Sequence, residues 1–279
     1  MLIKSYSRLV TLSFALSVEL VISSILPAMA MSPYTEQQQL AFSSAEIIAQ
    51  RSNRRSRLRF KVPGIRPSRN LQGGAARGNC GVVGAKAVQM RALLPNTKIG
   101  LTTTGNPTFF FQISPTSVEE AKFILLNAKG DTIIYEKTFS LNKTGGVLSF
   151  TLPADADALE VGEEYTWELA VLCDPDDQVG NPRVQGSIKR IEPSSMFTRE
   201  LANAPMRDRV VLYAEGDQNS EVEGGYWYDA IKTLADLRLA NPNDPTLISD
   251  WKELLDSAGL SAVDQELLLP CCTSSPSGR

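Results

Sequence analysis

Two groups of carboxylates are the residues whose type and spacing most directly suggest chemistry in this chain. They are Asp174, Asp176 and Asp177 after a predicted strand, and Asp155, Asp157 and Glu160 in an earlier loop. Such oxygen ligands bind Ca²⁺, and extracellular calcium sites can be weak and still occupied. Neither group has the spaced D-x-[DN]-x-[DN]-G loop. We therefore expect solvated acidic turns and no cofactor, with a weak calcium site as the alternative.

Histidine is absent from all 279 residues. This removes the commonest general base, every Ser-His-Asp arrangement and the usual zinc ligand. Catalysis would have to use carboxylates, lysine or tyrosine, so the enzymatic alternative is a secreted hydrolase with two carboxyl groups about 5–9 Å apart. Because no motif specifies a reaction, we expect no catalytic residues, no metal ligands and no enzymatic activity.

Four cysteines allow three pairings in an oxidising compartment. They are Cys80, Cys173, Cys271 and Cys272. We expect Cys80 to pair with Cys173, because the other two are adjacent in the C-terminal tail, where their pairing stays open. The bridge would close a loop of about 95 residues and add about 4–5 kcal/mol in the chain-entropy model. The absence of a CxxC spacing argues against a four-cysteine metal site.

An export signal is predicted over residues 1–30, and it places the cysteines in an oxidising compartment. A positively charged start precedes an apolar stretch, and Ala28 and Ala30 fit the small-x-small cleavage pattern. Glu19 lies within the apolar stretch and leaves cleavage open. We expect a periplasmic or extracellular protein, with an uncleaved N-terminal tether as the alternative.

Charge is distributed unevenly along the chain. Residues 47–118 hold 12 Lys or Arg and no acidic residue, whereas residues 119–279 hold 14 basic and 28 acidic residues. Few apolar residues and charge of one sign predict a disordered basic arm over 31–78. We expect six cations to contact an anionic surface: Arg51, Arg54, Arg55, Arg57, Arg59 and Lys61.

The export signal selects the partners that this arm could have. An anionic envelope polymer, an envelope protein or peripheral contact with a lipid surface fits the compartment, whereas nucleic acid fits only the charge. A soluble linker is the alternative for the arm. The oligomeric state stays open.

The elements that must carry these residues are strands first and helices afterwards. Strands are predicted at 97–104, 108–113, 120–127, 131–139, 146–152, 163–173 and 183–192. Their near-regular spacing indicates an antiparallel β-sandwich. Leu159, Gly162 and Tyr165 match a tyrosine corner, which is typical of immunoglobulin-like and fibronectin III-like domains.

After Ser194 the apolar period becomes helical. Helices are predicted from Pro205 to Glu215, around Trp227, and from Asp244 to Gly259, with a further start at Ser261. Two such helices with their Asn-Pro-Asn turn are similar to one tetratricopeptide-like unit, which cannot bury its own face and must pack on the sandwich. The predicted fold class is therefore α+β, with an antiparallel sandwich followed by a small helical subdomain.

An ordered set of short motifs resembles one known family. The motifs are Asn79-Cys80-Gly81, Ala92-Leu93-Leu94-Pro95, Pro107-Thr108-Phe109-Phe110-Phe111, Tyr165-Thr166-Trp167, Cys173-Asp174-Pro175, Trp227-Tyr228-Asp229-Ala230 and Cys271-Cys272. They resemble the exported cyanobacterial family catalogued as domain of unknown function 928, over about residues 79–272. The resemblance implies an envelope or extracellular location and no reaction.

Five segments follow from these observations. They are a signal at 1–30, the arm at 31–78, the sandwich at 79–193, the helical subdomain at 194–272 and a flexible tail at 273–279. We expect a non-catalytic binding or scaffolding module of the cell envelope.

Overall fold

The computed structural model describes residues 57–68, 83, 87–141, 143–174 and 180–269. All of them lie in one compact unit that begins at residue 56. The predicted signal with Ala28 and Ala30, the tail, and Cys80, Cys271 and Cys272 lie outside these ranges. No helix within these ranges is both long and apolar enough to cross a bilayer.

Within the described residues, eight strands form two sheets. They are β1 (Met90–Ala92), β2 (Ile99–Thr102), β3 (Thr108–Ile113), β4 (Glu120–Asn127), β5 (Ile133–Ser140), β6 (Gly146–Thr151), β7 (Glu164–Val171) and β8 (Arg183–Arg190). One sheet has the order β1-β3-β6 and the other β2-β8-β7-β4-β5. The seven predicted strands correspond to β2–β8, whereas β1 was not predicted because three residues are too few to show a period.

The strand pairs are antiparallel except at one edge, where β2 runs parallel to β8. The prediction of a wholly antiparallel sandwich is wrong for this pair. Alternation along a strand fixes which face is buried, but it carries no information about the direction of a distant neighbour.

Aromatic side chains fill the space between the sheets. Trp167 of β7 contacts Phe109 and Phe111 of β3, with ring centroids 5.7 and 5.3 Å apart. The predicted tyrosine corner is formed, because the Tyr165 hydroxyl accepts a hydrogen bond from the Glu160 backbone N–H at 3.1 Å.

The opposite face of β7 is also buried. Thr166 is fully buried and Glu168 is 9% exposed, although sequence alternation places them opposite the apolar set. The cause is topological, because β7 is the central strand of its sheet. A central strand can be covered on both faces.

Four helices and a 3₁₀ turn follow the strands. They are α1 (Ser195–Asn203), α2 (Met206–Glu215), α3 (Trp227–Ala240), α4 (Pro245–Ser257) and the 3₁₀ turn Ser261–Val263. Three of the helices match predicted ones, α1 was not predicted, and the start predicted at Ser261 is only this 3₁₀ turn. Asp244 caps α4 as predicted, since its carboxylate accepts the Thr246 N–H at 2.8 Å.

The helices and the sheets share one core. The Tyr228 hydroxyl of α3 accepts a hydrogen bond from Trp167 Nε1 at 2.7 Å and donates one to the Ser187 carbonyl at 3.0 Å. All three residues are buried. The structure is therefore of mixed α+β class, sandwich-like, with the helical part packed against the five-stranded sheet.

Candidate functional site

The part of the basic arm that the structure describes is an extended segment, residues 57–68, which we name the strap. Leu58 and Phe60 are buried at 4% and 5% exposure, whereas Arg57, Arg59 and Lys61 are exposed. Extended backbone sends alternate side chains to opposite sides, so the cations all point away from the core.

The strap is held to helix α4 by side-chain acceptors. The Leu58 N–H donates to Glu253 Oε2 at 2.8 Å, and the Phe60 N–H donates to Ser257 Oγ at 2.9 Å. Glu253 and Ser257 are four residues apart and so share one face of the helix. These two alternate backbone N–H groups are thus fixed, which fixes the orientation of the side chains around them.

Further along, the strap lies between the end of α2 and the start of α3. The Lys61 N–H donates to the Ala214 carbonyl at 2.9 Å, and the Gly225 N–H donates to the Lys61 carbonyl at 2.7 Å. The Phe60 ring meets Trp227 edge to face, with centroids 4.9 Å apart. A Cβ on Gly225 would lie 2.6 Å from the Phe60 ring, so this close approach requires glycine.

These contacts correct the predicted extent of the disordered arm. Disorder was expected through residue 78, but residues 57–68 pack onto the folded unit. Composition underestimates order here because two apolar residues at alternate positions are enough to anchor one edge of an extended segment. The rest of the predicted arm lies outside the described residues.

The exposed side of the strap is a row of cations. Arg57 and Arg59 form no ion pair with any described residue, whereas Lys61 lies 3.6 Å from the exposed carboxylate of Glu223. Arg51, Arg54 and Arg55, the other three predicted contact residues, lie outside the described residues. The row can attract an anionic polymer or surface, and salt would screen that attraction.

A cleft of about 320 Å³ lies beyond the C-terminal end of α4. Its walls are β1, the turn after β1, the first half of β8, and Gly259 with Leu260. The polar residues that line it are Arg91, Asn96, Lys98 and Gln185, and no carboxylate of the described residues is among its lining. The cleft and the strap therefore flank the same helix end.

The turn from Leu93 to Lys98 is fixed at both ends. Trp227 Nε1 donates to the Leu93 carbonyl at 2.8 Å inside the core. The Lys98 N–H donates to the Pro95 carbonyl at 2.8 Å, and the Ser187 N–H donates to the Lys98 carbonyl at 2.9 Å. The cleft is therefore preformed.

Lys98 is the one described non-glycine residue with a positive φ, which is 61°. A side chain in this left-handed region costs about 1–2 kcal/mol, and glycine would avoid that cost. Strained residues of this kind concentrate at functional sites.

One carboxylate that contacts a residue of the cleft lining is already engaged. Glu168 accepts hydrogen bonds from Gln185 Nε2 at 2.6 Å and from Arg183 Nη1 at 3.3 Å. It therefore fixes the Gln185 side chain and offers no free acid to the cleft.

Another carboxyl, that of the half-buried Asp229, lies at the start of α3. It accepts hydrogen bonds from the Thr103 hydroxyl at 2.7 Å and from the Thr103 N–H at 3.1 Å. Burial raises the pKa of Asp229, although these hydrogen bonds oppose the rise. Burial also raises the pKa of the nearby Tyr226 hydroxyl to about 12. We interpret Asp229 as the link between α3 and the end of β2.

The predicted carboxylate groups gather no metal site within the described residues, where no three potential ligands cluster. Asp155, Asp157 and Glu160 are all described, whereas Asp176 and Asp177 are not. Cys173 takes part in a disulfide bond. Every other cysteine lies outside the described ranges, so the Cys80–Cys173 pairing stays a prediction.

Sequence reasoning missed the residues of the cleft. The segment from Pro95 to Lys98 has the composition of a turn, and Arg91 with Lys98 contributed only to a charge count. Their juxtaposition with Gln185, about 90 positions later, follows only from the packing of β1 and β2 beside β8.

A family model described as Domain of Unknown Function (DUF928) matches residues 72–268, well over half of the chain. No curated protein matches.

Proposed function

The chain belongs to the DUF928 family, and we propose that it is a non-catalytic binding or scaffolding module of the cell envelope that recognises an anionic polymer. The observation that carries this proposal is the strap, which presents Arg57 and Arg59 on a fixed edge. Pre-ordering of the strap lowers the entropy cost of binding, because the backbone beneath the cations does not have to be ordered on contact.

The proposal includes export to the periplasm or the extracellular space, with cleavage after Ala30 or an uncleaved tether. It also includes the immunoglobulin- or fibronectin III-like topology of the sandwich and the tetratricopeptide-like arrangement of α3 and α4. The tyrosine-corner hydrogen bond supports the first of these topologies, and the capped turn between the two helices supports the second.

The experiment compares two variants that each lose two positive charges. Arg57→Gln/Arg59→Gln alters the strap, and the control Lys129→Gln/Lys137→Gln removes two exposed cations elsewhere. Mature protein is bound to isolated envelope fractions at about 0.05 M and about 1 M salt, where the Debye length falls to about 3 Å. We expect the strap variant to bind several-fold more weakly at low salt, with no difference at high salt.

Equal losses in both variants, or no loss in the strap variant, would contradict the proposal. A deletion of residues 31–55 tests the remaining arginines of the arm separately. It ends at the boundary of the compact unit and leaves Leu58 and Phe60 in place.

The rival function is a secreted hydrolase that uses two carboxylates. In the part of the chain that the structure describes, no carboxylate lines the cleft, and Glu168, which contacts Gln185, is paired with Arg183. The rival therefore depends on a site other than this cleft. Hydrolysis of envelope polysaccharide by the mature protein, lost on substitution of a specific carboxylate, would establish it.

A further inference from the structure

We infer that the cleft binds one acidic sugar unit of the uronate type within the anionic polymer, an inference that rests on the proposed function. The cleft has the volume, the charge and the hydrogen-bonding groups that such a unit requires. Each of these properties depends on residues other than the strap cations.

The size of the cleft selects a small ligand. Its volume of about 320 Å³ is at the lower end of ligand pockets, which span about 300–1,000 Å³. One wall is apolar, formed by Leu94, Pro95, Val184 and Leu260. That wall suits the C–H face of a single sugar ring.

The charge of the cleft selects an anion. Arg91 and Lys98 line it, and among the described residues no acid does. A guanidinium binds a carboxylate through two parallel hydrogen bonds, and a lysine adds a point charge. The left-handed backbone of Lys98 keeps an ammonium-bearing side chain at a position that glycine would occupy without strain.

Two amides select hydroxyl groups. Asn96 and Gln185 each carry one acceptor and two donors, a combination that suits hydroxyls, which both donate and accept. Glu168 fixes Gln185 through a 2.6 Å hydrogen bond. Asn96 packs against Gly259, where a Cβ would lie 2.2 Å from its Nδ2 atom. Both amides are thus positioned before a ligand arrives.

The edge of the sheet adds backbone groups. The Ser187 N–H points to the β2 side of β8, where it donates to Lys98. Gln185 lies two residues earlier, so its backbone N–H and carbonyl point to the same side. β2 pairs with β8 only from Ser187 onwards, so no residue of β2 pairs with this side of Gln185, which itself lines the cleft.

The test is a titration of the full mature chain, labelled with ¹⁵N, with glucuronate, glucose and inorganic phosphate. The side-chain amide signals of Asn96 and Gln185 report binding. We expect glucuronate to bind at least fivefold more tightly than glucose or phosphate. Lys98→Gly and Arg91→Gln should each weaken glucuronate binding at least fivefold. The control Lys129→Gln/Lys137→Gln, which removes two exposed cations elsewhere, should leave it unchanged.

Three results would overturn the inference: equal binding of glucose, equal binding of phosphate, or unchanged affinity in both cleft variants. The two proposals fail separately. If the strap variant weakens envelope binding while glucuronate does not bind, the cleft inference is wrong and the binding function stands. If glucuronate binds in the cleft while the protein does not bind envelope fractions, the proposed binding to an envelope polymer is wrong and the cleft site stands.

Discussion

Replacement of Phe60 by alanine tests whether the strap belongs to the cooperative fold. The Phe60 side chain is 5% exposed, and its ring meets Trp227 at 4.9 Å. Truncation of a buried phenylalanine costs about 3–5 kcal/mol. Because the strap lies at the margin of the core and can partly close the space, we expect about 3 kcal/mol. That is a large part of a typical unfolding free energy of about 5–15 kcal/mol.

Urea unfolding at pH 7, followed by tryptophan fluorescence, measures this loss, since the Phe60 ring touches Trp227. Val62→Ala is the matched control in the same segment, because Val62 is 41% exposed and should cost less than about 0.5 kcal/mol. A loss below about 1 kcal/mol for Phe60→Ala would refute the assignment of the strap to the core.

The double variant Leu58→Ala/Phe60→Ala separates global from local unfolding. If the strap unfolds only with the whole domain, the two losses should add to within about 0.5 kcal/mol, apart from direct contact between the two side chains. If the strap detaches alone, the total loss saturates, because a detached strap has no further contacts to lose.

Three further outcomes are expected. Lys98→Gly should stabilise the fold by about 1 kcal/mol through relief of the positive φ, and a lower urea midpoint would contradict this. Tyr228→Phe should cost about 1–3 kcal/mol, because it leaves the Trp167 indole N–H buried without an acceptor; an unchanged midpoint would show that the indole finds another. Burial raises the pKa of the Asp229 carboxyl above its ordinary 3.8, so the folded protein binds the carboxyl proton more tightly than the unfolded chain does. The free energy of unfolding should therefore fall as pH rises from 3.8 through the raised pKa. Asp229→Asn should flatten urea midpoints across that window, and an unchanged slope would contradict the assignment.

Periodicity predicted most of the elements, since alternation reports local burial. The strands β3 and β4 have their predicted bounds, and α4 begins at its predicted cap, Asp244. Helix α1 was not predicted, although Ser194 caps it through the Phe197 N–H at 3.2 Å, because one buried side chain gives too little periodic signal.

The sequence identified the cations of the strap but not the residues of the cleft. The strap cations were identified as a charge run, but their fixed orientation depends on contacts with Glu253 and Ser257, almost 200 positions away. The cleft was out of reach, because Lys98 and Gln185 become neighbours only through the pairing of β2 with β8.

The sequence by itself determined the chemistry that is available: no histidine, an uneven charge, strands before helices, and a tyrosine corner. These properties depend on residue types and on short-range spacing, so they can be counted or recognised in the sequence directly. Only the tertiary structure decided which cations line a cleft, that residues 57–68 of the basic arm pack onto the folded unit, and which strand runs parallel to β8. Those outcomes depend on contacts between residues far apart in the chain. Local sequence patterns do not show which distant residue accepts a hydrogen bond from the strap or lines the cleft.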